Sequence, residues 1–126
     1  WVAESFLSML AQLGAGEGFG LWAAVSVLTT AVTNTMSNGA AVAVLGPVVL
    51  NMADVAGESP VIIGFITAVS SAFAYLTVVG TPACTIVYAS GYLKTTDFLA
   101  VGWKMALTST VIMLLAAWLY WPLLGV

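Results

Sequence analysis

The sequence predicts an all-α integral membrane fold, and three observations carry that prediction. Of 126 residues, 62% are hydrophobic and only 6% charged, and the mean hydropathy is strongly positive, well outside the composition of soluble domains. The apolar residues fall into segments of helical length rather than into short alternating strands. Two of those segments are broken internally, by "TNTMSNG" at residues 33–39 and by "GTP" at 80–82. Both breaks are rich in residue types that disfavour helix and favour turns.

Composition also removes whole classes of function. Five acidic residues against two lysines leave no basic patch for nucleic acid and no polybasic stretch for anionic lipid headgroups. The single cysteine, Cys84, can form neither an internal disulfide nor a thiolate metal site. Histidine is absent, and with it the commonest general base and transition-metal ligand, so an enzyme is not expected. No positively charged n-region precedes a short apolar core, so no signal peptide is read, and a chain opening on Trp1 reads as a piece of a longer polypeptide.

Residues 1–19 are expected to form a connecting or interfacial segment. Val2, Phe6, Met9, Leu10 and Leu13 recur at helical spacing, with Glu4, Ser5, Ser8 and Gln12 on the remaining positions. "GAGEGFG" at 14–20 is a glycine-rich loop centred on Glu17. Residues 20–53 hold two apolar arms, 21–32 and 40–52, each about a dozen residues or roughly 20 Å long, around the polar row. A hydrocarbon core is about 30 Å thick, so neither arm spans it alone, and the pattern fits either a broken spanning helix or a re-entrant hairpin.

Ser59-Pro60 is a helix start. It opens an interrupted helix over 60–93, with an apolar run from Val61 to about Val79, the break at Gly80-Thr81-Pro82, and a short piece from Ile86 to Tyr92. After a polar turn, "KTTD" at 94–97, comes a last helix over 97–124, apolar from Phe98 and long enough to cross completely. Trp103 near one end and Trp118, Tyr120 and Trp121 near the other read as interfacial aromatics. Lys94 and Lys104, set against the acidic 54–58 loop, orient the 94–97 turn to the cytoplasm.

Irregular backbone survives at membrane depth only where protein buries it or a wet cavity solvates it, because unsatisfied polar groups are costly in hydrocarbon. Two breaks therefore imply a cavity, and interrupted helices near the midplane are how secondary transporters build binding sites. The 33–39 row supplies hydroxyls and primary amides, which donate to an anion and coordinate a hard cation such as sodium. A helix starting near Gly39 or Ala40 aims its positive end at the row, so an anion can be held with no buried lysine or arginine. Every acid lies in a loop or near a segment end, which favours sodium over proton coupling. Ser70-Ser71, Thr108-Ser109-Thr110 and Gly64 read instead as helix-packing residues, Gly46-Pro47 as a kink and Cys84 as a small filler.

At these positions the sequence resembles the divalent anion:sodium symporter family, the carriers of dicarboxylates, citrate and sulfate. That family places a Ser-Asn-Thr motif at the tip of a re-entrant hairpin in each of two inverted repeats, followed by a helix unwound at Thr-Pro and by "I-V-(Y/F)-x-S/T-G-x-(L/I/V)-K". The counterparts here are Ser37-Asn38-Gly39, Gly80-Thr81-Pro82 and "TIVYASGYLK" at 85–94, and the match runs from about residue 20 to the end. The resemblance implies a hairpin over 20–53, a discontinuous helix over 60–93 and a last helix over 97–124, which together form a C-terminal transport repeat, 20–126, half of an inverted-repeat transporter. It further implies sodium held by Thr33, the Met36 carbonyl, Asn38 and the Gly80 carbonyl, and an anion held by Ser37, Asn38, Gly39, Thr81 and Pro82. Gly39 stands where the family has threonine, which removes a hydroxyl from the anion side, and Thr35 is the candidate replacement.

The expected function is sodium-coupled symport of a divalent anion, a dicarboxylate, citrate or sulfate, with Na+ as co-substrate. This chain would be the C-terminal half, completed by the N-terminal half of the same transporter, multi-pass in the plasma (inner) membrane and homodimeric by family analogy. Two alternatives stand beside it: a carrier of the wider ion-transporter group for arsenite or metal-citrate, and a structural membrane subunit whose polar row bonds a partner helix.

Overall fold

Small polar residues and glycines set several of the helix ends. The computed structural model describes residues 2–12, 14, 16 and 18–124. Among them lie α1 (Val2–Gln12), α2 (Gly18–Thr33), α3 (Asn38–Ala56), α4 (Pro60–Ser70), α5 (Pro82–Ala89), α6 (Thr95–Leu119) and a closing 3-10 turn, Trp121–Leu124. No strand occurs among the described residues. Leu13 and Glu17, expected on the α1 face and at the centre of the glycine-rich loop, lie outside them. In α1, Leu10 is buried, whereas Met9, expected on the same face, is exposed.

Both arms around the polar row are longer than expected, 16 residues in α2 and 19 in α3. The Ser37 hydroxyl opens α3 by accepting the Ala40 N–H at 3.3 Å, and Gly57 closes it at φ 72°, a left-handed conformation that glycine adopts without strain. Asp54, expected in a loop after the arm, sits exposed on the helix surface and does not stop it. At 19 residues α3 is roughly 28 Å long. With Thr95–Leu123 it is one of two stretches among the described residues long and apolar enough to cross a bilayer.

The start of α2 lies beside the end of α3. Glu58, just past α3, accepts the Gly18 N–H at 2.8 Å through Oε1 and the Trp22 Nε1–H at 3.3 Å through Oε2. A carboxylate there satisfies a free N–H and complements the positive end of α2. Glu58→Ala is expected to cost about 1 kcal/mol, the usual size of a lost helix cap. A detergent unfolding curve with an unmoved midpoint would contradict that role.

The core forms where α2, α3 and α4 pack together, with Leu21, Val25, Leu45, Val49, Met52, Ile63 and Ile66 all buried and Met113 and Leu114 of α6 closing it. In a membrane, apolar burial does not discriminate between helix partners, so close approach and hydrogen bonds decide. The Ser26 and Ser70 hydroxyls join α2 to α4 at 2.8 Å. Leu50 reaches toward Gly64, its Cδ2 lying 3.7 Å from where a Cβ would stand.

The second half departs from expectation in four places. First, α4 stops at Ser70 rather than near Val79, so the break runs over residues 71–81. The Ser71 hydroxyl donates to the Ala68 carbonyl at 2.7 Å, and the backbone continues through turn bonds, Ala72 N–H to Val69 O and Phe73 N–H to Ser70 O, both 3.1 Å. The Leu76 N–H then goes to Asn34 Oδ1 at 2.8 Å instead of to a helical carbonyl. Second, Pro82 opens α5, with the Thr81 hydroxyl accepting the Cys84 N–H at 3.3 Å, and α5 ends at Ala89, short of Tyr92, before Gly91 at φ 78°.

Third, "KTTD" is not a separate turn. Asp97 reaches back to accept the Lys94 N–H at 2.8 Å, so Thr95 already lies in the first turn of α6. Fourth, α6 ends at Leu119, and Trp121 in the 3-10 turn packs on Phe65 of α4 with ring centroids 5.8 Å apart. It is half-buried rather than purely interfacial.

Candidate functional site

The last residue of α2, the first residue of α3 and the two ends of the 71–81 break meet at one point. The Thr33 hydroxyl, fully buried, donates to the Ser71 carbonyl at 2.7 Å. The Asn38 amide, with its nitrogen turned to the cluster, donates toward the Ser71 carbonyl at 2.8 Å, Thr33 Oγ1 at 2.9 Å and the Gly80 carbonyl at 3.3 Å. Turned the other way, the amide sets Oδ1 beside the Thr33 hydroxyl at 2.9 Å, and oxygens of Thr33, Asn38, Ser71 and Gly80 converge. One hydroxyl proton cannot serve so many acceptors, so that arrangement calls for a cation among them. Among the described residues no group of histidine, cysteine, aspartate and glutamate could hold a metal, so neutral oxygens are the ligands on offer.

Glycine at position 80 follows from close approach. A Cβ there would stand 2.8 Å from the Ala74 Cβ, 2.9 Å from the Ala74 carbonyl oxygen and 3.2 Å from Thr77 Oγ1. Without one, the backbone folds down on that turn and its carbonyl faces the tip. Asn34, next along from Thr33, is buried and grips the middle of the break. Its Nδ2 donates to the carbonyls of Thr30 at 2.7 Å and Phe73 at 3.5 Å, its Oδ1 accepts from Leu76 N–H, and its own carbonyl accepts the Thr77 hydroxyl at 2.8 Å.

Two helix N-termini share this place, since α3 begins at Asn38 and α5 at Pro82, two residues after Gly80. Their free N–H groups give it a positive potential with no cationic side chain. Ser37, Gly39 and Pro82 are exposed at this end and Thr81 is half-buried. Ser37 and Thr81 each use the hydroxyl oxygen to cap their own helix.

Of the residues singled out from the sequence, Thr33 and Gly80 each come within hydrogen-bonding distance of the Asn38 amide. Met36 sits half-buried at the bend between α2 and α3, outside the hydrogen-bonded cluster. Thr35 is exposed and its hydroxyl donates to the Val32 carbonyl at 2.7 Å, turning back onto its own helix. It therefore does not replace the hydroxyl missing at Gly39. Two members were missed: Ser71, read only as packing, contributes a carbonyl that no side chain advertises, and Asn34 was visible in the polar row without an assigned task.

The whole chain, residues 1–126, matches the family described as sodium:sulfate symporter transmembrane region. Over 132 aligned residues it is 33% identical to the sodium-dependent high-affinity dicarboxylate transporter 3 of Caenorhabditis elegans, an alignment covering 98% of this chain and 23% of that protein. The chain thus spans about a quarter of the length of this relative. No solved structure matches it.

Proposed function

The chain belongs to the sodium:sulfate symporter family, and from that premise we propose that it is the C-terminal repeat of a sodium-coupled symporter for a divalent anion, with sodium bound at the tip between α2 and α3. It is an integral membrane transport protein rather than an enzyme, built of apolar helices. The observation that carries the proposal is the convergence of Thr33 Oγ1, the Asn38 amide and the Ser71 and Gly80 carbonyls. Sodium takes its place when the Asn38 amide turns its oxygen inward, and the Met36 carbonyl at the bend completes the shell. The cation then adds its field to the α3 and α5 N-termini, where the anion docks against Ser37, Asn38, Gly39, Thr81 and Pro82.

Glu58 bonded to Gly18 supports reading α2 and α3 as a re-entrant hairpin, with α4 and α5 as the discontinuous helix beside it and α6 as the last helix. The N-terminal half of the same transporter supplies the rest of the site, and the assembly is a homodimer in the plasma (inner) membrane. The test is uptake of labelled sulfate, succinate and citrate into proteoliposomes holding the native polypeptide that contains this chain, with and without an inward sodium gradient. Sodium-dependent uptake of one of them supports the proposal, and uptake indifferent to sodium defeats it.

Gly39 offers a specificity test. A Cβ there meets nothing within 4 Å, so Gly39→Thr is expected to fold normally and to add a donor at the anion side. One extra neutral hydrogen bond corresponds to roughly a two- to tenfold lower half-saturating anion concentration. An unchanged value for every transported anion would place Gly39 outside the anion's reach.

A further inference from the structure

We propose that Asn34 is a positioning residue whose buried amide holds the middle of the 71–81 break so that the Gly80 carbonyl and the start of α5 stand at the tip. What Gly80 does there rests on the sodium reading above; how it is held rests on the geometry alone.

The break has little bonding of its own. Between its ends, where Ser71 N–H bonds to Thr67 O and Thr81 O accepts Thr85 N–H, the backbone has the turns at Ala72 and Phe73 and Gly80 N–H to Thr77 O at 3.4 Å, and α5 adds the Thr85 hydroxyl on the Val78 carbonyl at 2.8 Å. Asn34 supplies what is missing, and at 5% exposure it does so away from water. Each part of its amide is engaged: Nδ2 with Thr30 and Phe73, Oδ1 with Leu76. The bond to Thr30, one turn back in α2, fixes the amide to a rigid helix. The others tie Phe73 and Leu76 to that anchor, while the Thr77 hydroxyl donates to the main-chain carbonyl of the same residue. Gly80 rests directly on the held turn, against Ala74 and Thr77, and its carbonyl lies 3.3 Å from the Asn38 amide. Thr33 and Asn38 thus grip the break at its two ends, Ser71 and Gly80, while Asn34 grips its middle. Asn34 acts through Gly80, and no contact places it in the oxygen cluster itself.

A residue of this kind sets how well the ligands are pre-arranged, not how many there are. Asn34→Ala in the native polypeptide is expected to raise the half-saturating sodium concentration about tenfold while maximal uptake at saturating sodium stays within about twofold. A merely structural role would lower the amount of active protein and leave the sodium dependence alone. Thr77→Val, a shape-matched change on the break side that removes only the hydroxyl bonded to the Asn34 carbonyl, is expected to move the sodium dependence the same way by about threefold. The double variant should be worse than Asn34→Ala, because the main-chain carbonyl of residue 34 still accepts the Thr77 hydroxyl once the amide is gone, and the second change removes that remaining bond.

Hydrogen exchange supplies a second reading that does not involve sodium. Amides across 72–80, the Leu76 N–H above all, should exchange faster in Asn34→Ala while those of α2 and α4 keep their protection. Wild-type sodium dependence and wild-type exchange in both variants would overturn the proposal, as would a misfolded Asn34→Ala beside a Thr77→Val indistinguishable from wild type in both readings. Should wild-type uptake prove independent of sodium, the sodium reading fails by itself. Exchange across 72–80 then decides whether Asn34 positions the break: faster exchange upholds it and unchanged exchange overturns it.

Discussion

Asn38→Ala is expected to abolish sodium-dependent uptake in a protein that still inserts and folds. The side chain is half-buried, and its amide touches the Thr33 hydroxyl, the Ser71 carbonyl and the Gly80 carbonyl together. Truncation removes a coordinating oxygen and the turning amide that closes the cluster without a cation. The loss of sodium affinity should reach about a hundredfold, since one group serves ion and break at once. Folding should survive, because the core of Leu21, Val25, Val49, Met52, Ile63 and Ile66 is untouched.

Unfolding midpoints give an independent reading of the same site. A ligand that binds only the folded state raises stability with its concentration. Wild type should therefore melt higher in sodium chloride than in choline chloride, and Asn38→Ala should show no difference between the two. Asn38→Asp sets a carboxylate among three oxygens, so its stability should depend on sodium more steeply than that of wild type. Wild-type uptake at wild-type sodium affinity in Asn38→Ala would remove the tip from the transport cycle.

What could be read from the chain alone, and what could not, divides by the range of the interactions. Ser59-Pro60 marks a helix start in the sequence and does so in the fold, because proline at the first helical position is a local signal; Ser37 and Thr81, read only as parts of the two breaks, cap α3 and α5. The polar tip was legible because Asn34, Ser37, Asn38 and Gly39 are poor residues for a helix interior. The end of α4 was not, since Phe73 to Val79 carry no local signal against helix beyond a β-branched tendency. They unwind because Asn34, 42 residues before Leu76 in the chain, offers that N–H an acceptor. In the same way the family motif led to Thr33, Asn38 and Gly80 through their residue types, while Ser71 enters through a carbonyl that any residue would possess. The length of α3 was underestimated because Asp54 was read as part of a loop over 54–58, whereas an exposed helix face tolerates it.

Gly102→Ala is expected to displace the break from its other side. Gly102 is buried in α6, and a Cβ there would overlap the Tyr75 carbonyl oxygen, stand 2.7 Å from the Tyr75 carbonyl carbon and 3.1 Å from the Leu76 nitrogen. All three obstacles are backbone, so no side-chain rotation relieves them. Either α6 or the break must move, at a cost near the upper end of the usual 1–3 kcal/mol, about 3 kcal/mol, for overpacking. Because α6 has a continuous helical ladder and the break does not, Tyr75 and Leu76 should yield. The Leu76 N–H would then leave Asn34 Oδ1, now 2.8 Å away, and the Gly80 carbonyl would shift with the turn it rests on. Gly102→Ala should therefore lower the unfolding midpoint and weaken sodium dependence together, in the direction of Asn34→Ala but further. Gly64→Ala is the internal comparison. Its Cβ would meet only Leu50 Cδ2 at 3.7 Å, an ordinary contact, and alanine gains up to about 1 kcal/mol over glycine inside a helix. The same exchange in two helices should thus carry opposite signs. Equal midpoints for the two variants would mean that α6 and the break have room to part, and that Gly102 does not set where the Gly80 carbonyl stands.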